Sequence, residues 1–117
     1  RLVTIFNDLR ELIEHWEPSV VAVEGIFYGK NIRSTLMLGH ARGAALIAAA
    51  QSQIPIYEYS PRKVKQALTG NGNADKSQVQ YMVKSILKLS DAPEPMDASD
   101  ALAVSICHLQ QFRQGDL

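Results

Sequence analysis

Three acidic residues stand where they could hold a metal. Glu24 closes the run Val20-Val21-Ala22-Val23, which is apolar and mostly β-branched and reads as a strand buried on both faces. A carboxylate at the C-terminal end of such a strand lies where α/β folds place their sites. Asp97 and Asp100 are three residues apart, on one face of the first turn of a helix. Each has a plainer use, Glu24 as a strand-end carboxylate reaching solvent and the aspartates as a cap and a first-turn acid facing the helix dipole. The small and apolar residues 101–106 that follow favour the chemical use. Two acids opening a buried helix, with a third at a strand end, suit Mg²⁺, which takes a few carboxylates with water and phosphate oxygens. A pair of such ions ~4 Å apart activates water and stabilises the leaving oxygen in phosphodiester cleavage.

A second set is basic. Arg62, Lys63, Lys65 and Lys76 flank a Gly70-Asn71-Gly72-Asn73 turn, with Lys30, Arg33 and Arg42 upstream. They form either a solvated face or a row of phosphate contacts, which hold nucleic acid without reading its sequence. Phe27 and Tyr28, just beyond Glu24, are core aromatics or, on a DNA-facing loop, stacking platforms for unpaired bases. His15, His40 and His108 have no partner at ligand spacing and read as structural, and Cys107 as a core residue.

The formal net charge of zero conceals this pattern. Residues 1–25 carry two basic and five acidic groups, a net −3. Residues 26–90 carry nine basic and two acidic, a net +7, and residues 91–117 one basic and five acidic, a net −4. A hydrophobic content of 46% with 21% charged residues is globular rather than disordered. The single cysteine cannot form an internal disulfide and fits a reducing compartment. The longest apolar run, 43–50, is too short for a bilayer, and the first residues lack the apolar core of a signal peptide. A cytoplasmic protein with no membrane partner is expected.

The elements that must position these groups follow from periodicity. Leu2, Ile5, Phe6, Leu9, Leu12, Ile13 and Trp16 form a helical stripe that ends near Glu17-Pro18. After the Val20–Val23 strand comes a helix over about 32–53, rich in Gly and Ala, whose small side chains permit close helix packing. A second strand spans 54–59. Ser60-Pro61 supplies an N-cap and an N1 proline for a helix over 62–68. Asp75 and Gln78 form a capping-box pattern that opens a helix to about 89, with Val79, Met82, Val83, Ile86 and Leu87 as its stripe. A proline-containing loop precedes the last helix, 97–112. Strands joined by helical crossovers imply an α/β fold with a parallel arrangement. Two strands are fewer than the ~5 of a usual sheet, so further strands are expected before residue 1 or from another chain.

Taken together the motifs resemble the RuvC-type Holliday-junction resolvases of the RNase H-like fold, a mixed sheet flanked by helices. The matching text is Val21-Ala22-Val23-Glu24-Gly25-Ile26-Phe27, Lys30-Asn31, Leu38-Gly39-His40-Ala41-Arg42-Gly43, Tyr59-Ser60-Pro61-Arg62-Lys63-Val64-Lys65-Gln66, Lys76-Ser77-Gln78-Val79-Gln80 and Asp97-Ala98-Ser99-Asp100-Ala101-Leu102-Ala103. The resemblance runs to about His108. It implies a homodimer that resolves four-way DNA junctions by paired metal-dependent nicks in recombination and repair, alongside the branch-migration machinery of that pathway. It implies two Mg²⁺ ions per site, with Mn²⁺ able to substitute. Glu24 would be the second catalytic carboxylate and Asp97 and Asp100 the closing acidic pair. Phe27 would stack near the junction centre, Lys65 and Lys76 would contact DNA, and the Gly/Ala-rich helix would pack the dimer. Tyr28, Lys30, Arg33, Arg62 and Lys63 extend the candidate DNA surface.

The family's first strand carries a catalytic aspartate in an Asp-Pro-Gly motif, and no such motif occurs in this sequence. Residues 1–113 are therefore expected to be a nuclease domain lacking its first three strands, roughly 40 residues at ~5–6 per strand with their turns, and 114–117 a tail. Two other readings carry different expectations: a non-catalytic DNA-binding or dimerisation fragment, or another RNase H-like nuclease. Missing strands would leave unpaired edges, so the chain by itself is expected to be unstable or to complete its sheet by association.

Overall fold

The computed structural model describes residues 1–25 and 32–114. Seven elements follow in order: α1 (Leu2–Trp16), β1 (Val21–Glu24), α2 (Ile32–Gln51), β2 (Ile56–Tyr59), α3 (Pro61–Thr69), α4 (Lys76–Ile86) and α5 (Met96–Gln114). β1 and β2 form a two-stranded sheet. The Val21 N–H donates to the Pro55 carbonyl and the Gly25 N–H to that of Tyr59. Both partners advance in the same direction along the chain, so the strands are parallel, as the helical crossover requires. Among the described residues there is no antiparallel strand to make the sheet mixed. No described helix is long and apolar enough to cross a membrane.

The chain divides into two compact units. The first holds Arg1–Val21 and Ile26–Tyr57. Here α1 packs on α2. Arg1 gives α1 no side-chain cap, and the helix stops where Glu17 turns left-handed (φ 47°), its N–H donating to the Ile13 carbonyl. Pro18 then prevents continuation. The α1 stripe is real, yet none of its residues is buried.

The second unit holds Ala22–Gly25 and Glu58–Leu117. Its core joins Val64 and Leu68 of α3, Val79 and Val83 of α4, and Ala103, Val104, Ile106 and Cys107 of α5, with Ala22 and Tyr59 packed against them. The helix starts are those the sequence predicts. The Ser60 hydroxyl accepts the Lys63 N–H, with Pro61 in the first turn. Asp75 accepts the Gln78 N–H while the Gln78 side chain accepts that of Asp75, completing a capping box. Most boundaries shift by one or two residues, and two expectations fail for a physical reason. α4 ends at Ile86 rather than near 89, because Lys88 turns left-handed (φ 56°) and the Leu89 N–H folds back to the Lys84 carbonyl. β1 is only half-buried, not buried on both faces, because β2 is its one hydrogen-bonded neighbour among the described residues.

Candidate active site

β1 ends on Glu24, and the next residue is pinned: the Gly25 N–H donates to the Tyr59 carbonyl at 2.8 Å. Glu24 reaches solvent on one side and lies against protein on the other. That partial burial raises its carboxyl above the ordinary carboxylate range. The negative charge of Asp100 raises it further, while the ammonium groups of Lys65 and Lys76 pull it back. α5, α3 and α4 thus each place one charge within electrostatic reach of Glu24 at the strand end.

α5 carries the two aspartates. Asp97 lies exposed in its first turn and Asp100 is half-buried one turn on. Between them Ser99 is buried, and its hydroxyl donates to the Pro93 carbonyl at 3.3 Å, tying the preceding loop to the helix start. Asp100 Oδ2 stands 3.9 Å from the Lys76 Nζ, with side chains 43% and 74% exposed. At that distance and exposure the pair is weak and easily exchanged.

The residues predicted from sequence therefore differ in where they fall. Glu24, Asp100, Lys65 and Lys76 come together. Asp97 shares the helix of Asp100, but among the described residues no three His, Cys, Asp or Glu side chains gather as a metal site. Phe27, Tyr28 and Lys30 lie outside the described residues. Arg33 is exposed on α2, in the first unit. Lys63 is exposed on α3. Arg62 has a structural use that spacing did not reveal: its Nη1 donates to Asn73 Oδ1 at 2.7 Å. A Cβ on Gly72 would come within 2.8 Å of the Arg62 side chain, so the glycine makes room for it. Gln66 completes the clasp, donating to the Gly70 carbonyl and accepting the Gly72 N–H.

His108 proves structural, as expected, but not idle. It is buried, and its Nδ1 lies 2.6 Å from the Tyr59 hydroxyl. The pairing is 49 residues long and leaves no sequence signal. Cys107 is a core residue whose thiol is pushed up by burial, the opposite of what a nucleophile needs.

The donor set fits a hard divalent cation. Two carboxylates that repel each other and have lost part of their water gain from a cation between them, and oxygen donors suit an ion of the Mg²⁺ type.

Comparison with known proteins identifies the family. The profile of the family described as crossover junction endodeoxyribonuclease RuvC matches residues 1–108. The RuvC of Desulforamulus reducens is 51% identical over 110 residues, 94% of this chain and 68% of that protein. That of Ruminiclostridium cellulolyticum is 49% identical over 117 residues, all of this chain and 70% of that protein. Among solved structures, Thermus thermophilus RuvC in complex with a Holliday junction substrate superposes with a TM-score of 0.91 at 38% identity, over 97% of this chain and 69% of that one. A second structure of Thermus thermophilus RuvC gives a TM-score of 0.86. The fold is RNase H-like, and the chain belongs to the RuvC family of metal-dependent crossover junction endodeoxyribonucleases.

Proposed function

We propose that this chain acts in the resolution of four-way DNA junctions, with Glu24, Asp97 and Asp100 as its metal-holding carboxylates and Mg²⁺, or Mn²⁺ in its place, as the ion. The observation that carries this is that Glu24 at the strand end and Asp100 on α5 lie close enough to repel each other, with Lys65 and Lys76 in reach of Glu24 and Lys76 3.9 Å from Asp100. Bound metal would supply an activated water and charge stabilisation at the scissile phosphate. The chain's own groups do the positioning. Lys65 and Lys76 hold a backbone phosphate beside the carboxylates, and Lys76 exchanges its weak pairing with Asp100 for the phosphate. Lys30, Arg33, Arg62 and Lys63 extend the phosphate-binding surface. Phe27 and Tyr28 stack on bases opened at the junction. The substrate named for the Thermus thermophilus complex supports this reading.

A homodimer acting in the cytoplasm, beside branch-migration proteins, completes the proposal. In the first unit a groove of about 400 Å³ between α1 and α2 is lined by Leu2, Phe6, Gly43 and Ile47 among others, and Leu36, Met37 and Ile47 are exposed. An apolar surface of that kind suits burial against a second copy.

The test is cleavage of a four-way junction in Mg²⁺ by a protein carrying this chain. Glu24→Gln and Asp100→Asn should each slow nicking by about 10³-fold or more while leaving junction binding in EDTA largely intact. Nicking at the wild-type rate would overturn the assignment. A second reading is favoured by the absence of Asp-Pro-Gly from the sequence and of a three-ligand cluster among the described residues. On that reading the 117-residue chain by itself binds junctions without cutting them, and a gel assay of that chain distinguishes the two.

A further inference from the structure

We propose that Tyr59 and His108 form the positioning pair that sets Glu24 against Asp100. The inference rests on the metal-site reading above and adds to it a part that charge alone does not supply. Two carboxylates on different elements share an ion only if strand and helix keep their register to a fraction of an ångström.

Tyr59 reaches both elements. Its carbonyl accepts the Gly25 N–H at 2.8 Å, which fixes the end of the strand that carries Glu24. Its hydroxyl meets His108 Nδ1 at 2.6 Å, with the two rings edge-on and 5.7 Å apart. His108, 4% exposed, sits on the same helix as Asp100, eight residues or about 12 Å further along. A helix is stiff over that length, so holding His108 holds the rotation and height of Asp100. The next residue after Tyr59 is Ser60, the cap of α3, which carries Lys65.

The apolar contacts of α5 are suited to closeness rather than register, and its Lys76–Asp100 ion pair is long and exposed. Ala103, Val104 and Ile106 meet the core through apolar surface, which is non-directional and tolerates a small slip, and the Cys107 thiol adds only a long, weak contact to the Lys63 carbonyl at 4.0 Å. A short, partly buried hydrogen bond does not tolerate such a slip. Ser99, bonded to the Pro93 carbonyl, ties α5 to its own loop and not to the sheet. Tyr59–His108 is a side-chain hydrogen bond that joins β2 directly to α5.

The experiment uses the intact junction-cleaving protein and three readouts: Mn²⁺ binding without DNA by electron paramagnetic resonance, junction affinity in EDTA, and the urea midpoint. Tyr59→Phe keeps the ring and removes the hydroxyl. It should weaken Mn²⁺ binding by about ten-fold, the size seen when support of metal ligands is removed, with junction affinity in EDTA within about two-fold. His108→Asn, which keeps a hydrogen-bonding atom near the Nδ1 position, should bind Mn²⁺ more tightly than His108→Leu. Leu68→Ala is the control for lost stability, because it opens the same core while leaving both hydrogen-bonding groups of the pair in place. Mn²⁺ binding in Tyr59→Phe that equals wild type, or that falls no further than in Leu68→Ala, overturns the positioning role. Glu24→Gln separates the two levels. If it leaves Mn²⁺ binding unchanged, the metal-site reading itself fails and the positioning role with it. If it removes Mn²⁺ binding while Tyr59→Phe does not weaken it, only the positioning role fails.

Discussion

In the unit built from α3, α4 and α5, eight side chains are buried in one cluster. In the unit built from α1 and α2, the buried apolar side chains among the described residues are Ala48 and Ala49, and α1 buries none. The sequences do not forecast this difference. α1 has as clear an apolar stripe as α4, yet its Leu12 is 53% and its Trp16 71% exposed. Amphipathicity states which face a helix offers; burial needs a surface to receive it. The unit with capped helices and a closed core is the one that carries Glu24, Asp100, Lys65 and Lys76. That agrees with a general requirement, since groups that must keep a fixed spacing belong on elements whose own packing is complete.

Paired core substitutions would break this comparison most directly. Leu68→Ala should lower the unfolding free energy by about 2–5 kcal/mol, because it empties a fully enclosed site in α3. Leu12→Ala on α1 should cost about 0.5 kcal/mol or less, since that side chain is largely in solvent. Equal losses in urea unfolding would show that something covers the α1 face in solution.

A cap substitution sharpens the same contrast at smaller scale. Ser60→Ala removes the hydroxyl that accepts the Lys63 N–H. It should cost about 1 kcal/mol, whereas Arg1→Ala on α1 should cost nothing measurable, because Arg1 makes no side-chain cap bond. Thermal or urea unfolding of the two variants reads this out.

The smallest effect is in pH. The folded-state carboxyl of Glu24 is raised, so its penalty is absent below its unfolded pKa and appears as pH rises through the raised value. Glu24→Gln should therefore stabilise the metal-free protein slightly at neutral pH, read as a small rise in Tm. At acid pH, where wild-type Glu24 is protonated, the gain should vanish. A destabilised variant at neutral pH would contradict the crowding of Glu24 by Asp100.

The candidate site was legible in parts. Glu24 could be found because a strand end and a carboxylate coincide in four or five residues, and Asp97 and Asp100 because three-residue spacing is a helical fact. The starts of α3 and α4 were legible because Ser60-Pro61 and Asp75-x-x-Gln78 satisfy backbone N–H groups locally. The sequence did not reveal that Lys76 pairs with Asp100, that Arg62 is held by Asn73 across Gly72, or that Tyr59 and His108 meet. Each is a pairing between distant residues whose types are individually unremarkable. Partial burial of β1 was misjudged because an apolar tetrapeptide says only that it can be buried on both faces.

By itself, then, the sequence determined the helices, their capped ends, the crossover that makes the strands parallel, and which residues were chemically able to hold a metal or a phosphate. These depend on spacing and on bonds closed within a few residues. Only the tertiary structure decided which of those residues share a field. It set Asp100 rather than any other acid beside Glu24, placed Lys65 and Lys76 around them, and joined the two carriers through Tyr59 and His108. Charge and hydrogen bonding act over ångströms in space, and the chain brings residues 24, 59, 100 and 108 to that range only by folding.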